Sequence, residues 1–409
     1  MTQVTLQDVL AARERLRQGG LVETPCPDSI PISELCGCRI YCKLDYLQRT
    51  GSFKERGARN ALLLLSPEQR QRGVIAASAG NHALGLAYHG QLLGVPVTVV
   101  MPKFAPLIKV ATCRRLHATV VLHGETLAQA KAHADQLTAA RGLTYIHGYD
   151  DAAIIAGQGT IALEVLEQVP DVEAIVVPAG GGGLLAGVTL AVEAARRPIQ
   201  VIGVEPAAMP SLTAALAAGQ PVPVPAASTL ADGLAVSQVG ARSFETLRNR
   251  VTRVVTVSEQ SLALAVLRLL ELEKSVLEGA GAAGLAAFLD GKLPELAGKK
   301  VVLLLTGGNI DPTVLPRIIE NGLVADGRLC RFTARISDRP GSLARLTKLL
   351  AETGVSVRDI EHDRMFSGLD VTAVQVICTV ETNDRAHIEQ LRATLARAGI
   401  PVHFVTAAN

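Results

Sequence analysis

Short runs of aliphatic residues, separated by stretches with helical periodicity, constrain the fold of this chain more than any other feature. They occur at 74–77 (VIAA), 95–101 (VPVTVVM), 174–177 (AIVV), 200–204 and 300–305. Strands without polar alternation are buried on both faces, which is typical of parallel sheets covered by helices. The sequence therefore predicts an α/β fold with open, mostly parallel sheets, in which ligands bind beyond the carboxyl ends of the strands.

The pattern changes near residue 325. Segments 331–336 and 374–380 alternate apolar and polar residues, as strands with one buried face do. Two helical stripes and two further short strands complete a βαββαβ order, which is ferredoxin-like. We expect one functional region over 1–325, with a smaller subdomain inserted at about 48–150. A separate domain follows over 326–409, after a linker at 323–329.

Composition excludes several classes of function. A net charge of +2 gives no reason to expect nucleic acid or an anionic membrane as partner. The uncharged stretch 174–192 contains Pro178 and four glycines, which would leave backbone groups unsatisfied in lipid. The N-terminus has no apolar signal-peptide core, so we expect a cytoplasmic protein. Cys36, Cys38 and Cys42 cluster without metal-site spacing, and we expect reduced thiols and no metal.

A lysine lies in the segment 50–58 (TGSFKERGA), with glycines on both sides that permit tight turns. A lysine amine forms a Schiff base with a carbonyl, including that of pyridoxal phosphate, once its environment lowers its pKa. Taken alone, this segment is more typical of a solvated lysine at a helix start. A functional role requires a phosphate site, a partner for the cofactor ring and a carboxylate site elsewhere in the chain.

Three loops that follow predicted strands supply such sites. Gly180–Gly183 lies between a strand and a helix, where backbone N–H groups and the helix N-terminus attract an anion, most naturally a phosphate. The turn 78–82 (SAGNH) offers donors for a substrate carboxylate. The alternative interpretation of this turn is an ordinary helix cap. Thr306, in the segment 306–309 (TGGN), is either a partner for a ring nitrogen or a turn residue.

The glycine run also fits a different protein class. Gly181, Gly183 and Ala186 match the dinucleotide fingerprint, and Glu205 ends the next strand where an acid binds ribose in NAD-dependent Rossmann dehydrogenases. This alternative leaves the Lys54 and Ser78 loops without a role.

The segments TGSFKERGA, SAGNHA, VPAGGGGLLAG, ADGLAV (231–236) and TGGN occur in this order, and together they resemble the fold-type II pyridoxal-phosphate enzymes. Over about residues 20–320 the chain is most similar to the threonine dehydratases (threonine ammonia-lyases). The tail resembles an ACT domain, with Asp338-Arg339-Pro340-Gly341-Ser342-Leu343 at its first strand-to-helix turn. The resemblance implies that 1–325 is a pyridoxal-phosphate dependent catalytic domain made of two α/β subdomains, and that 326–409 is an ACT-like regulatory domain with a ferredoxin-like fold. It also implies a homo-oligomer, either a dimer or a tetramer.

The resemblance also implies roles for residues. Lys54 would carry pyridoxal 5'-phosphate as a Schiff base and Phe53 would pack near the ring. Asn81 would bond the 3′ oxygen of the ring, and Thr306 would face the pyridine nitrogen. The phosphate would be held by the backbone of Gly180, Gly181, Gly182, Gly183 and Leu184. The substrate carboxylate would be held by the turn made of Ser78, Ala79, Gly80, Asn81 and His82.

The reaction implied is the conversion of L-threonine to 2-oxobutanoate and ammonia, and of L-serine to pyruvate, with Lys54 removing the α-proton. Serine racemases resemble this chain but place a second serine at the position of Ala79, so racemisation is disfavoured. Their metal site has an acid at the position of Ser211, so no metal is expected here.

The tail suggests feedback by isoleucine or valine and a place in isoleucine biosynthesis; a purely structural interface is the alternative. The remaining alternatives are a dehydratase for another β-hydroxy amino acid and a non-catalytic amino-acid sensor.

Overall fold

The computed structural model describes residues 3–364 and 372–405. The chain forms two compact units, residues 1–314 and residues 315–409. The predicted C-terminal domain includes residues 365–371 and 406–409, which lie outside the described residues. None of the helices in the described part of the chain is long and apolar enough to cross a membrane.

The first unit alternates helices with short strands. Its helices are α1 Leu6–Leu16, α2 Ile30–Cys36, α3 Lys54–Leu63, α4 Pro67–Arg72, α5 Asn81–Leu93, α6 Leu107–Arg115, α7 Leu127–Arg141, α8 Ala152–Gln168, α9 Gly183–Ala191, α10 Ser211–Ala218, α11 Ala241–Leu247, α12 Glu259–Glu273 and α13 Gly279–Leu289. Its strands are β1 Arg39–Lys43, β2 Val74–Ala77, β3 Val97–Met101, β4 Thr119–Leu122, β5 Thr144–Tyr145, β6 Ala174–Pro178, β7 Gln200–Pro206, β8 Arg253–Val257 and β9 Lys300–Leu304.

These strands form two parallel sheets. One has the order β1-β9-β6-β7-β8, and the other has the order β4-β3-β2-β5. All of their pairings are parallel. Strands β3 and β6 are buried along their whole length, because helices cover both faces of each sheet. The prediction of open parallel sheets in an α/β fold is confirmed.

The second unit contains α14 Leu315–Asp326, β10 Leu329–Ser337, α15 Ser342–Thr353, β11 Ser356–Asp363, β12 Ala373–Glu381, α16 Arg385–Arg397 and β13 Val402–Val405. From β10 onward the order is βαββαβ, and the strands form an antiparallel sheet with the order β11-β12-β10-β13. Alternate residues of β10 and β12 are buried with Leu346, Leu350 and Leu391 of the helices. The ferredoxin-like prediction is confirmed.

Three predicted boundaries were wrong. The apolar pattern of the sequence predicts a helix over 56–65, whereas α3 begins at Lys54, so this lysine occupies the first helical position. The predicted linker 323–329 is largely the end of α14, and β10 begins at Leu329. The long apolar pattern over 260–278 predicts a single helix there, whereas α12 ends at Glu273, because Lys274 adopts a left-handed conformation (φ +54°). Residues 274–278 form a loop before α13, and this loop carries Glu278.

A cluster of four buried charges joins β1, the loop after it, α3 and α8. Arg56 donates two hydrogen bonds to the carboxylate of Asp45, at 2.6 and 2.8 Å, and two to Glu164, at 2.5 and 2.8 Å. Lys43 donates to the same Glu164 at 2.6 Å. Burial disfavours the charged form of Asp45, but Arg56 beside it holds the pKa of this carboxyl below its usual value. Two cations therefore meet two carboxylates, and the cluster fixes the start of α3.

We expect Asp45→Ala to lower the free energy of unfolding by about 3–5 kcal/mol, because it leaves the buried Arg56 with only one of its carboxylate partners. Urea denaturation followed by circular dichroism measures the change. Glu14→Ala is the control: Glu14 pairs with Arg17 at 3.7 Å on the surface, and its loss should change stability by less than about 0.5 kcal/mol. Similar midpoints for the two variants would contradict a structural role for the cluster.

Candidate active site

Three of the predicted site loops follow neighbouring strands of one sheet. The Lys54 loop follows β1, Thr306 follows β9, and Gly180 follows β6. These three strands are adjacent in the order β1-β9-β6. The carboxyl ends of parallel strands meet at one edge of a sheet, so the order of the strands brings the three loops together there.

The fourth predicted loop comes from the other sheet. Ser78 follows β2, Gly80 is the N-cap residue of α5, and Asn81 is the first residue of that helix. The side chain of Asn81 contacts two loops of the other subdomain: its Oδ1 accepts a hydrogen bond from Asn309, after β9, at 2.8 Å, and its Nδ2 donates one to Glu278, before α13, at 2.7 Å. The carboxyl edges of the two sheets therefore face each other across the site.

Lys54 points into this region. Its Nζ donates a hydrogen bond to the carbonyl oxygen of Gly148 at 2.8 Å and lies 5.1 Å from the centroid of the Phe53 ring. Burial lowers the pKa of Lys54 to about 8, and the charge of Glu278 opposes this shift. A lysine with such a pKa is neutral in a substantial fraction of molecules at slightly alkaline pH, which both Schiff-base formation and proton abstraction require.

The glycine run forms a turn that only glycine fits. Gly182 has φ +89° and is the N-cap residue of α9. A Cβ atom at Gly181 would collide with the ring of Tyr149, and a Cβ atom at Gly183 would collide with the backbone carbonyl oxygen of Tyr149. No side chain of the turn stands between its backbone and a ligand, and the turn opens α9, whose N-terminus favours an anion. These features fit a phosphate group.

The remaining predicted residues lie at the same edge. Thr306 is buried, and its carbonyl oxygen accepts a hydrogen bond from the backbone N–H of Phe53 at 3.0 Å, which ties the end of β9 to the lysine loop. The His82 ring is buried and donates through Nε2 to the Ile146 carbonyl at 3.1 Å. Burial and the Lys54 charge lower the pKa of His82 to about 3, so this ring is neutral. Ser78 Oγ accepts a hydrogen bond from the Gly80 N–H at 3.3 Å.

Sequence reasoning missed four residues of the site: Gly148, Tyr149, Glu278 and Asn309. Asn309 belongs to the TGGN segment but was given no role, although an amide after a buried strand is a recognisable signal. Glu278 was hidden inside a predicted helix. Gly148 acts through its carbonyl oxygen, which no sequence pattern marks.

The carboxylate of Glu205 has a structural role. It accepts hydrogen bonds from the backbone N–H groups of Leu212, at 2.6 Å, and Thr213, at 2.9 Å, at the start of α10. An acid that caps a helix in this way is not presented to a ribose, which argues against the Rossmann alternative. Within residues 3–364 and 372–405, no group of three or more His, Cys, Asp or Glu side chains is placed to hold a metal ion.

Comparison with known proteins agrees with this geometry. Residues 18–307 match the family of pyridoxal-phosphate dependent enzymes, and residues 333–397 match the ACT domain. The chain therefore belongs to the pyridoxal-phosphate dependent enzymes.

Several individual proteins within this family are similar to the chain. An L-threonine ammonia-lyase of Thermotoga maritima is 42% identical over 98% of this chain and 100% of its own length. A solved threonine deaminase, the processed form of isoform 2 from Solanum lycopersicum, is 35% identical, with a TM-score of 0.73, over 77% of this chain and 86% of its own. A solved serine racemase from Dictyostelium discoideum is 34% identical, with a TM-score of 0.71, over 76% of this chain and 100% of its own.

We expect Gly183→Ala to weaken pyridoxal phosphate binding about tenfold, because the new methyl group would push Tyr149 away from the turn formed by residues 180–183. Fluorescence titration of the apoprotein measures the dissociation constant. The control is Gly284→Ala on α13, where a Cβ has ordinary room, 3.5 Å from the nearest atom of Val176. Unchanged affinity in Gly183→Ala would contradict a phosphate site at this turn.

We expect the Lys54 amine of the apoprotein to be acylated with a pH midpoint near 8, because burial lowers its pKa to about 8. Mass spectrometry of the Lys54 peptide, after brief labelling at a series of pH values, measures the midpoint. A midpoint near about 10.4, the ordinary value for lysine, would show that the amine is solvated.

Proposed function

We propose that this protein is an L-threonine ammonia-lyase that converts L-threonine to 2-oxobutanoate and ammonia, and also converts L-serine to pyruvate. The observation that carries the proposal is the placement of Lys54, with its lowered pKa, among the loops that follow β1, β9, β6 and β2. The near-full-length similarity to an L-threonine ammonia-lyase supports the choice of substrate.

The site fits pyridoxal 5'-phosphate through its donor set. Lys54 would hold the aldehyde carbon of the cofactor, the N–H groups of residues 180–184 would hold its phosphate, and Asn81 would bond its ring oxygen. Thr306 would face the pyridine nitrogen with a hydroxyl instead of a carboxylate. When bound, the cofactor supplies an electron sink for the charge that develops at the substrate α-carbon.

Lys54 would move the proton. After the substrate amine has replaced it on the aldehyde carbon, the freed Nζ, when neutral, would take the proton from the substrate α-carbon. The β-hydroxyl would then take up a proton and leave as water, and hydrolysis of the dehydrated product would give 2-oxobutanoate and ammonia. The turn 78–82, with the free N–H groups at the start of α5, would orient the substrate carboxylate. Ala79 bears no group that could return a proton on the opposite face. This supports elimination over the racemisation named for one of the similar structures.

The second unit would bind an amino-acid effector. A cavity of about 270 Å³ is lined by residues 336–343, His362 and Arg364. It opens at the N-terminus of α15, whose N-cap residue is Gly341, and Arg339 adds a cation. Both features suit an α-carboxylate. We infer isoleucine or valine as effector, a role in isoleucine biosynthesis, and a cytoplasmic homo-oligomer, either a dimer or a tetramer.

We expect Lys54→Ala to abolish keto-acid release from threonine and serine, by at least about 10³-fold, because it removes both the anchor of the cofactor and the base. Keto acid is measured with a dinitrophenylhydrazine or a coupled assay, and circular dichroism checks the fold. Chiral chromatography of serine incubated with the unaltered protein should show no D-serine. Keto-acid release by Lys54→Ala would refute the role of Lys54, and D-serine formation would favour the racemase alternative.

We expect Ser342→Tyr to abolish the kinetic response to isoleucine or valine while leaving effector-free turnover unchanged, because the larger side chain fills the 270 Å³ cavity. Lys348→Tyr is the control, since Lys348 lies on the same helix with 78% of its side chain exposed. A full chain that responds to neither amino acid would favour a structural role for the second unit.

A further inference from the structure

Two neighbours determine how the side-chain amide of Asn81 is oriented. Asn309 donates both of its amide hydrogens, one to the Thr50 carbonyl at 2.7 Å and one to Asn81 Oδ1 at 2.8 Å. Asn81 Nδ2 donates one hydrogen to Glu278 Oε1 at 2.7 Å. Asn81 therefore keeps a single amide hydrogen for any further partner.

A rotated amide would be unfavourable on both sides. Asn81 Nδ2 would then face the nitrogen of Asn309, whose position is fixed by Thr50. Asn81 Oδ1 would face the carboxylate of Glu278, and two acceptors repel each other. The orientation in which the nitrogen of Asn81 is the available group is thus enforced by an anion on one side and a committed donor on the other.

The position of Glu278 is fixed by its surroundings. The residue is 5% exposed, and its backbone N–H donates to the Gly307 carbonyl at 3.1 Å. A Cβ atom at Gly307 would collide with Glu278 Oε1, so the carboxylate reaches Asn81 only because this position is glycine. Gly51 similarly leaves room for Asn309, whose Oδ1 would lie 2.5 Å from a Cβ there.

We propose that Glu278 is a positioning residue for cofactor binding: with Asn309 it holds Asn81 so that the amide can only donate to the ring oxygen of pyridoxal phosphate, and so selects the ionised ring oxygen. The inference rests on the proposed function, in which Asn81 bonds that oxygen. It adds a residue, and a preference for one protonation state of the ligand.

Protonation of Glu278 removes its part of the orienting effect, and Asn309 alone then opposes rotation of the Asn81 amide. A protonated carboxyl can either donate or accept, so it tolerates both orientations of Asn81. Burial and the charge of Asp232 raise the pKa of Glu278 to about 7, while Lys109, the hydrogen bond from Asn81 and Lys54 act in the opposite direction. These groups face Glu278 from the loop before α11, from α6, from α5 and from α3. The contribution of Glu278 to the orientation is therefore present above pH 7 and is lost as the pH falls through this value.

Glu278→Gln imitates the protonated acid without changing its shape. It removes a negative charge beside Lys54, which lowers the pKa of the Lys54 amine further and on its own would favour Schiff-base formation. Loss of the orienting effect weakens cofactor binding instead. The two effects have opposite signs, so the direction of the change distinguishes them.

The experiment compares dissociation constants of pyridoxal phosphate for the full-length apoprotein and Glu278→Gln between pH 6 and pH 8.5. The cofactor's own titration is common to both proteins and cancels in their ratio. We expect Glu278→Gln to bind about fivefold more weakly at pH 8.5, the value of about one hydrogen bond, and equally at pH 6. The absorbance of the bound cofactor should change with pH near 7 in the unaltered protein and lack this change in the variant.

The control is Glu173→Gln. Glu173 accepts a hydrogen bond from the Lys300 N–H at 2.9 Å, at the amino end of the sheet that contains β6 and β9. The ratio of the dissociation constant of Glu173→Gln to that of the unaltered protein should be one at every pH. A ratio of one at every pH for Glu278→Gln, or tighter binding by it, overturns the proposal for Glu278 and leaves the proposed function standing. An unaltered protein that binds no pyridoxal phosphate overturns both.

Discussion

The ion cluster around Arg56 is the constraint on which the site depends. Arg56 lies two residues after Lys54 on α3, and its guanidinium is held by two carboxylates that belong to other elements, Asp45 from the loop after β1 and Glu164 from α8. Desolvation makes an isolated buried charge very costly, so the cluster is stable only when all of its members are in place. The first turn of α3, and with it the direction of the Lys54 side chain, is thereby fixed by contacts that never touch a ligand.

Burial also shifts the pKa values of the titratable groups in the candidate site. Burial moves the pKa of Lys54 down and the pKa of Glu278 up, so that both lie near neutrality. Burial also keeps His82 neutral. A buried lysine that titrates near neutrality suits proton transfer at physiological pH.

Much of the architecture could be predicted because it depends on local pattern. Buried aliphatic runs locate the strands, and glycine- or hydroxyl-containing turns after them locate the loops at Ser78, Gly180 and Thr306. The residues that complete the site could not be predicted in this way. The helical pattern over 260–278 includes Glu278, and the left-handed conformation of Lys274 that ends α12 has no sequence signal. The pairing of Arg56 with Glu164 joins charges more than a hundred positions apart, which only the tertiary fold reveals.

The order of strands in the sheet β1-β9-β6-β7-β8 has a consequence for how the chain folds during its synthesis. Strand β1 comes near the beginning of the first unit and β9 near its end, yet they pair residue for residue, from Arg39 with Lys300 to Lys43 with Leu304. While the chain emerges from the ribosome, β1 can bond only with the preceding segment 25–29, and it lacks its neighbour in the sheet until β9 has been translated. Contacts of such large sequence separation slow folding and leave strand edges exposed in the interim. The nascent chain thus carries Lys54 for much of translation before Glu278 and Thr306 are made, and the candidate site is among the last parts of the unit to be completed.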